Sequence, residues 1–226
     1  MNRFIVGLLL LVIVAMLMAN LIHNDPEGKL ISINDALKHA KPGDLVFFKS
    51  NLAAINLLFG DVYTHVGIVT QRNNRLCVYE LVGKNHITQR KSSGLKCIPL
   101  DERLSTYPGR VYINFLNKRL DKKRIDQLNR FYTYGKRHHK YCFDDIKGYL
   151  FALKSMITCY HTGHKNRNSC MHCTGFIVEC LKAIGVFKEE QVINSHCVLP
   201  QNIEYFITNT PLNNGYRYGM TYKVVM

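Results

Sequence analysis

The sequence lacks internal repeats and low-complexity linkers, and it has few acidic residues. The first two absences argue against a repeat array and against separate domains joined by a tether. We therefore expect one globular domain, for which 226 residues with 47% hydrophobic content suffice. The shortage of Asp and Glu, 16 against 30 Lys and Arg, leaves a net charge of +14. Such a surface attracts anionic phospholipids or nucleic acid, although an ordinary solvated basic face is the simpler explanation of any single cluster.

An apolar run occupies residues 4–22, interrupted only by Asn20 and preceded by Arg3. Its length is about the 20 residues that a helix needs to cross the hydrocarbon layer. A cleaved signal peptide is the alternative, but the run lacks a good cleavage site, since Leu17 and Ala19 would hold the two small-residue positions. The sequence therefore predicts a transmembrane anchor in residues 1–24, followed by a domain in residues 30–226. The positive-inside rule favours a single-pass membrane protein with this domain in a luminal or extracellular position.

The hydrophobic period changes near the middle of the chain. β-rich runs predict four strands, at residues 45–48, 64–70, 76–81 and 110–115, after a short helix at residues 32–39. Helical spacing then predicts helices at residues 121–135, 143–157 and 173–184, and short β-like runs return at residues 203–207 and 222–225. Strands followed by helices predict an α+β domain in which an antiparallel sheet packs against helices.

A cysteine at the start of a predicted helix is the first candidate for chemistry. Cys173 opens a stretch in which Phe176, Ile177 and Cys180 recur at helical spacing, and Gly185 follows as a stop. The free N–H groups of a first helical turn and the positive end of the helix dipole stabilise a thiolate, the nucleophilic form of cysteine. The position therefore predicts a nucleophile, with an inert buried cysteine as the alternative.

Three stretches resemble the NlpC-type amidases, the papain-like cysteine peptidases of bacterial cell walls. PGDLVFF at residues 42–48 and THVGIV at residues 64–69 are similar to that family's core strands, with His65 at the position of its catalytic histidine. HCTGFIVECLKAIGV is similar to its nucleophile helix, and residues 135–141 are similar to its tyrosine segment. The histidine here precedes the cysteine, as in the circularly permuted branch that includes lecithin:retinol acyltransferase-like and poxviral relatives. The resemblance covers residues 40–187 and implies a permuted papain-like domain.

A Cys-His pair of this kind predicts nucleophilic catalysis through an acyl-enzyme, with no cofactor. Cys173 would attack an amide, ester or thioester carbonyl, and His65 would accept and return the proton. The second ring nitrogen needs an acceptor, for which we select Glu80, the only carboxylate on the next strand; His86 or a backbone carbonyl is the alternative. The resemblance implies an acidic residue there. It also implies Tyr141 as a second oxyanion donor beside the Cys173 N–H.

The anchor, the basic surface and the permuted branch together favour a cysteine hydrolase or acyltransferase that acts on a lipid or lipid-modified substrate beside a bilayer. Peptide or peptidoglycan amide cleavage is the enzymatic alternative, although the chain has nothing that resembles a wall-binding module. An inactive membrane-anchored scaffold is a third interpretation, and the complete Cys-His pair argues against it. Nucleic acid is not an expected partner of such an enzyme.

The region before the predicted nucleophile offers a different use of the same cysteine. Cys170 and Cys173, with Cys159 and a histidine such as His164, could hold zinc in a basic module that binds nucleic acid. The spacing matches no standard zinc finger, so this stays the alternative. The eight cysteines also form an even set that would suit four disulfides in an oxidising compartment, but a free Cys173 would leave at least one more unpaired.

Overall fold

The structure, a computed structural model, describes residues 29–51, 63–82, 94–138, 140–141, 170–188 and 200–226. These residues form strands β1 Leu30–Ser32, β2 Leu45–Lys49, β3 His65–Arg72, β4 Arg75–Val82, β5 Gly94–Pro99, β6 Arg110–Leu116, β7 Lys140–Tyr141, β8 Cys170–Met171 and β9 Tyr218–Val225. They also form helices α1 Ile33–His39, α2 Leu100–Thr106, α3 Lys122–His138, α4 Cys173–Ala183 and α5 Pro200–Asn209, with a 3-10 turn at Asn213–Gly215. The predicted helix at residues 143–157 lies outside the described residues.

Seven strands form one sheet in the order β1-β9-β6-β2-β3-β4-β5, and β7 pairs with β8 separately. The predicted α+β class is confirmed, but the prediction of an antiparallel sheet is wrong, because β1 runs parallel to β9 and β7 runs parallel to β8. The physical reason is that β1 has three residues, too few for a hydrophobic period. Its partner lies almost two hundred residues away, where Leu30 meets Lys223.

Capping and turn residues in the sequence mark the ends of several helices and strands correctly. The side chain of Ser32 accepts the Asp35 N–H at 3.1 Å and so begins α1, as an N-terminal capping residue should. Asn73 and Asn74 join β3 to β4 with φ angles of 50° and 61°, which is the positive-φ pair that a tight hairpin turn needs. Gly185 follows α4 with φ of 65°, a conformation that glycine adopts without steric cost. The Ser32 cap and Gly185 agree with the predicted start of the helix at residues 32–39 and the predicted stop after the Cys173 helix, and the Asn73–Asn74 turn joins two of the predicted strands.

Helices cover both faces of the large sheet. On one face α1 and α2 bury Ala36, Leu100 and Leu104 against strand residues that include Val46 and Val78. On the other face α3, α4 and α5 pack on alternate residues of the same strands, and their shared core includes Phe47, Ile68, Tyr79, Leu128, Phe176, Ile177, Leu181, Ile203 and Ile207. Two-sided burial explains why the central strands read as nearly continuous apolar runs.

The β-like run predicted at residues 203–207 is helical, because it lies inside α5. Ile203 and Ile207 stand one helical turn apart and are both buried, which is the spacing of a helix face rather than of a strand. The run at residues 222–225 belongs to β9, as predicted. Strand β5 and helix α2, which the sequence did not predict, extend the sheet and cover its second face.

The predicted N-terminal transmembrane helix, and with it the single-pass membrane localisation, needs correction. Within the described ranges, no helix combines the length and the apolar character that crossing a bilayer demands. The longest of these helices, α3, has 17 residues and carries several charged side chains, whereas a span takes about 20 mostly apolar residues. The apolar run at residues 4–22 lies outside the described part of the chain. The membrane anchor therefore plays no part in the function proposed below.

Candidate functional site

The first residue of β3 and the first residue of α4 meet. His65 begins β3, Cys173 begins α4, and the imidazole and the thiol are close enough for each to shift the pKa of the other. Cys173 is 6% exposed, and the His65 side chain is 12% exposed, so the pair sits just beneath the surface. The sequence interval of more than a hundred residues between them is closed by the packing of α4 on β3 and β4.

The ladder between β3 and β4 ends before it reaches the Cys173 thiol. Strand β3 pairs with β4 from Arg72 and Arg75 up to Ile68 and Tyr79, so the first residues of β3 lie beyond this ladder. The Val66 N–H lies near the Cys173 sulfur and lowers the pKa of its thiol. A backbone donor that faces sulfur stabilises the thiolate more than the thiol.

The local start of α4 adds to this effect. His172 precedes the helix as its capping residue, and its Nδ1 accepts the Gly175 N–H at 3.2 Å. The Thr174 hydroxyl lies 3.8 Å from the Cys173 sulfur. Cys173 itself therefore sits at the positive end of an 11-residue helix, where a negative charge is favoured.

Glu80 occupies the other side of the His65 ring. Its Oε2 lies 2.8 Å from His65 Nε2, which leaves Nδ1 as the ring nitrogen for Cys173. Glu80 is fully buried on β4, and the Phe48 ring packs against the imidazole with centroids 5.5 Å apart. The ring is thus held by a hydrogen bond at one nitrogen and by an aromatic contact at its face.

Arg103 of α2 completes the cluster from the face of the sheet opposite α4. Its Nε donates to Glu80 Oε1 at 2.7 Å and its Nη2 donates to Oε2 at 2.8 Å, in a two-point contact. Arg103 is 2% exposed, and its guanidinium lies over the rings of Phe48 and Tyr107, 4.4 and 4.9 Å from their centroids. Glu80 Oε2 therefore accepts from both Arg103 and His65, and the carboxylate has little freedom to turn.

Gly67 leaves the space that this arrangement needs. A Cβ at position 67 would lie 2.8 Å from Glu80 Cγ and 2.5 Å from Val78 Cγ1, both shorter than any ordinary carbon contact. The Glu80 side chain thus passes over a strand residue without a side chain on its way to His65. The glycine in THVGIV is required here by this close approach and not by a turn.

The charges of the cluster favour an ionised pair. Burial acts to lower the pKa of His65, but its hydrogen bonds and charge interactions with Cys173 and Glu80 outweigh burial and raise that pKa to about 9. Burial acts to raise the pKa of the Cys173 thiol, but the His65 hydrogen bond and charge lower that pKa below its ordinary value. Burial likewise opposes ionisation of Glu80, and the Arg103 charge keeps its pKa low. The arrangement can hold a thiolate beside an imidazolium near neutral pH.

Cys180 provides an internal contrast. It lies on the same helix as Cys173 and is fully buried. Burial raises the pKa of the Cys180 thiol well above its ordinary value, and the nearby Glu179 charge adds to this shift. Two cysteines on one helix therefore have opposite tendencies, because only Cys173 meets an imidazole and an N–H donor.

The structure brings together Cys173, His65 and Glu80, the three residues that the sequence selected. Tyr141 lies in β7 and pairs with Met171, two residues before Cys173, while its side chain and the alternative acceptor His86 lie outside what the structure describes. The sequence missed Arg103 and Gly67. The glycine inside a strand pattern was the available signal for a close approach, whereas nothing local marked Arg103.

The zinc alternative depends on residues that precede Cys173 in the chain. Cys159 and His164 lie outside the described residues, and Cys170 is described only through its place in β8. Among the described residues, no group of three or more His, Cys, Asp or Glu is arranged to hold a metal ion. In this part of the chain Cys77, Cys97, Cys173 and Cys180 are free thiols, so the four-disulfide interpretation does not hold for them.

Comparisons with known proteins give little beyond this. No protein-family model matches the sequence, and no curated protein matches it. Among solved structures, the chain is similar to a crystal structure described as the metalloprotein yiiX from Escherichia coli O157:H7. The two share 16% sequence identity with a TM-score of 0.48, over 80% of this chain and 97% of that one.

Proposed function

We propose that this protein is a cysteine hydrolase or acyltransferase that works through an acyl-enzyme on Cys173. The observation that carries the proposal is the position of His65 between two partners, with the Cys173 thiol on one side and Glu80 Oε2 at 2.8 Å from Nε2 on the other. A nucleophile, a base and a group that orients the base are the three parts that such chemistry requires.

The reaction follows from the ionised pair. The Cys173 thiolate attacks the carbonyl carbon of an amide, ester or thioester, and the carbonyl electrons move to oxygen, where the N–H groups at the start of α4 stabilise the negative charge. The oxyanion collapses, the bond to the leaving group breaks, and His65 Nδ1–H donates its proton to that group. The product is a thioester on Cys173 and a neutral imidazole.

Deacylation returns the enzyme to its starting state. Water, or an alcohol or amine acceptor, loses a proton to His65 Nδ1 while its oxygen or nitrogen attacks the thioester carbonyl. Collapse of the second oxyanion expels the Cys173 thiolate and restores the imidazolium. Throughout, Glu80 accepts the Nε2–H of His65 and stabilises the charged ring, so the carboxylate needs no proton of its own.

We further propose a lipid or lipid-modified acyl donor. Two features support this choice: the net charge of +14 attracts anionic head groups, and the sequence order resembles the acyltransferase-containing branch. A peptide amide, such as one in peptidoglycan, is the rival substrate. The Cys-His-Glu geometry serves both, because the attacked group is a carbonyl in either case.

The test is a panel of matched acyl donors that carry the same long-chain acyl group as an ester, a thioester and an amide, together with a short peptide amide. Intact-mass spectrometry after rapid acid quenching should show one acyl group on the protein, and peptide mapping should place it on Cys173. The Cys173→Ala variant should accept none, while Cys180→Ala should accept as much as wild type, because Cys180 is buried with a raised pKa. Acylation that persists in Cys173→Ala would contradict the proposal, and exclusive cleavage of the peptide amide would move the substrate to the rival class.

A further inference from the structure

Arg103 and Glu80 form a fully buried ion pair that the proposed reaction does not itself explain. Orienting His65 needs only one acceptor atom, yet Glu80 also receives two charge-assisted hydrogen bonds from a guanidinium that lies over two adjacent aromatic rings. Buried charges are expensive to desolvate, and a buried pair is often no more stable than apolar residues of the same size. A purpose other than stability is therefore worth seeking.

The charges of the four buried groups suggest that purpose. Arg103 and a charged Glu80 cancel, and the remaining His65 and Cys173 can be both neutral or oppositely charged, so either state of the cluster has a net charge of zero. We propose that Arg103 is a positioning residue: it neutralises Glu80 and fixes it against His65, so that His65 and Cys173 can carry opposite charges without leaving a net buried charge. This inference rests on the proposed function, since it concerns the same nucleophile.

Removing Arg103 alone changes the neutral state of the cluster. Glu80 and an imidazolium would then cancel, so net neutrality would require a protonated thiol at Cys173. Ionising the thiol would leave one uncompensated negative charge in a buried site, which is strongly disfavoured. The expected consequence is a less acidic and less reactive Cys173, even though Cys173 and Arg103 are held on opposite faces of the sheet.

Removing the Glu80 charge together with Arg103 should reverse this effect. A glutamine at position 80 can still accept the Nε2–H of His65 through its amide oxygen, but it carries no charge. His65 and Cys173 then again form a neutral pair or an ion pair with no net charge. If Arg103 served only to stabilise the fold, replacing Glu80 as well would not restore the reactivity of Cys173.

Other charged and titratable groups surround the cluster. Lys96 of β5 pairs with Glu80 across the ladder, Tyr107 follows α2 and lies under the Arg103 guanidinium, and His172 caps α4. Lys49 of β2 is buried with its ammonium over two tyrosine rings. None of these four residues is substituted in the variants below, so their effects on the pKa of Cys173 are common to every measurement that is compared.

The experiment is the pH dependence of Cys173 alkylation by iodoacetamide, followed by peptide mass spectrometry in the full-length protein. We expect the wild-type midpoint to lie below that of an ordinary thiol, and the Arg103→Met midpoint to rise by at least one pH unit. Once the midpoint lies above pH 7, each further unit lowers the thiolate fraction at pH 7, and hence the labelling rate there, about tenfold. Arg103→Met/Glu80→Gln should recover most of the labelling. Arg75→Met, which breaks the exposed two-point pair with Asp101, should match wild type.

The outcomes distinguish a failure of the proposed function from a failure of the role proposed for Arg103. If wild-type Cys173 titrates as an ordinary thiol, the proposed function fails, and this inference with it. If the wild-type midpoint is lowered but Arg103→Met leaves it unchanged, or the double variant labels no faster than the single one, only the role of Arg103 is overturned. Should Arg103→Met fail to fold by circular dichroism, the double variant and Arg103→Lys carry the test. Both balance the buried charge, so both should keep a lowered midpoint, and an ordinary midpoint in either would refute the inference.

Discussion

Adding one methyl group at Gly67 should displace Glu80 and slow acylation of Cys173 without removing any polar group of the site. The new Cβ of Gly67→Ala would lie 2.8 Å from Glu80 Cγ, and since carbon atoms settle at about 3.5 Å or more, the side chain must retreat by about 0.7 Å. The hydrogen bond between Glu80 and His65 would then lengthen from 2.8 Å to about 3.5 Å, beyond the useful range.

The expected loss follows from that displacement. A misplacement of about 1 Å in a catalytic arrangement costs on the order of a hundredfold in rate, so we expect acylation of Cys173 to slow by about tenfold to a hundredfold in Gly67→Ala. The contact with Val78 Cγ1 at 2.5 Å should lower the free energy of unfolding by about 1–3 kcal/mol through overpacking. The protein should nevertheless remain folded.

Gly219→Ala is the matched control, because Gly219 lies in β9 of the same sheet and its added Cβ would meet no atom within 4 Å. The assay is the acylation rate of Cys173 with the best donor of the panel, together with urea unfolding of both variants. Gly67→Ala should be slow and Gly219→Ala should equal wild type. Equal acylation rates in the two folded variants would refute the claim that Glu80 acts through its position on His65.

Two further predictions concern the pH dependence of catalysis and the buried Asp44 just before β2. Release of the leaving group needs a protonated His65, whose pKa is raised to about 9. We therefore expect kcat/KM to be retained through neutral pH and to fall as the pH rises through 9. A kcat/KM that stays level to pH 10.5 would contradict this. Buried Asp44 accepts the Leu116 N–H at 2.8 Å and the Lys41 N–H at 2.7 Å, so Asp44→Ala should lower the unfolding free energy by about 1–3 kcal/mol in urea titrations. Asp35→Ala, at an exposed position of α1, is its control and should lose clearly less than Asp44→Ala.

The sequence predicted the parts of the site that depend on local pattern. Cys173 stands out as a cysteine at the start of an apolar helix and Glu80 as the one carboxylate on its strand, whereas His65 was identified through the family resemblance. Chain order supplied their pairing through the resemblance to the permuted branch. The structure adds the distances and the face on which each side chain lies.

Arg103 could not be predicted because its role depends on long-range geometry. It lies on a seven-residue helix whose sequence, LDERLST, resembles an ordinary exposed surface helix with acidic and basic residues mixed. Only the folding of α2 onto the sheet, beside Phe48, brings its guanidinium to Glu80. The same limit explains β1, whose three residues gain a strand partner only when β9 arrives from the far end of the chain.

The apolar N-terminal run shows the opposite limit. Length and hydropathy of residues 4–22 predicted a transmembrane helix, whereas the helices that the structure describes are amphipathic or buried against the sheet and none could cross a bilayer. An apolar composition allows a segment to cross a membrane but does not establish that it does so. The site, in contrast, depends on contacts between described residues and stands independently of that run.

The central claim is that His65 activates Cys173, and the most direct measurement of it is the pH dependence of Cys173 alkylation in wild type and in His65→Ala. Wild-type Cys173 should label with a midpoint below the ordinary thiol value of about 8.5 and much faster at pH 7 than Cys180. His65→Ala should raise the midpoint and slow labelling at pH 7 by tenfold or more. An unchanged midpoint and rate in folded His65→Ala would contradict the account.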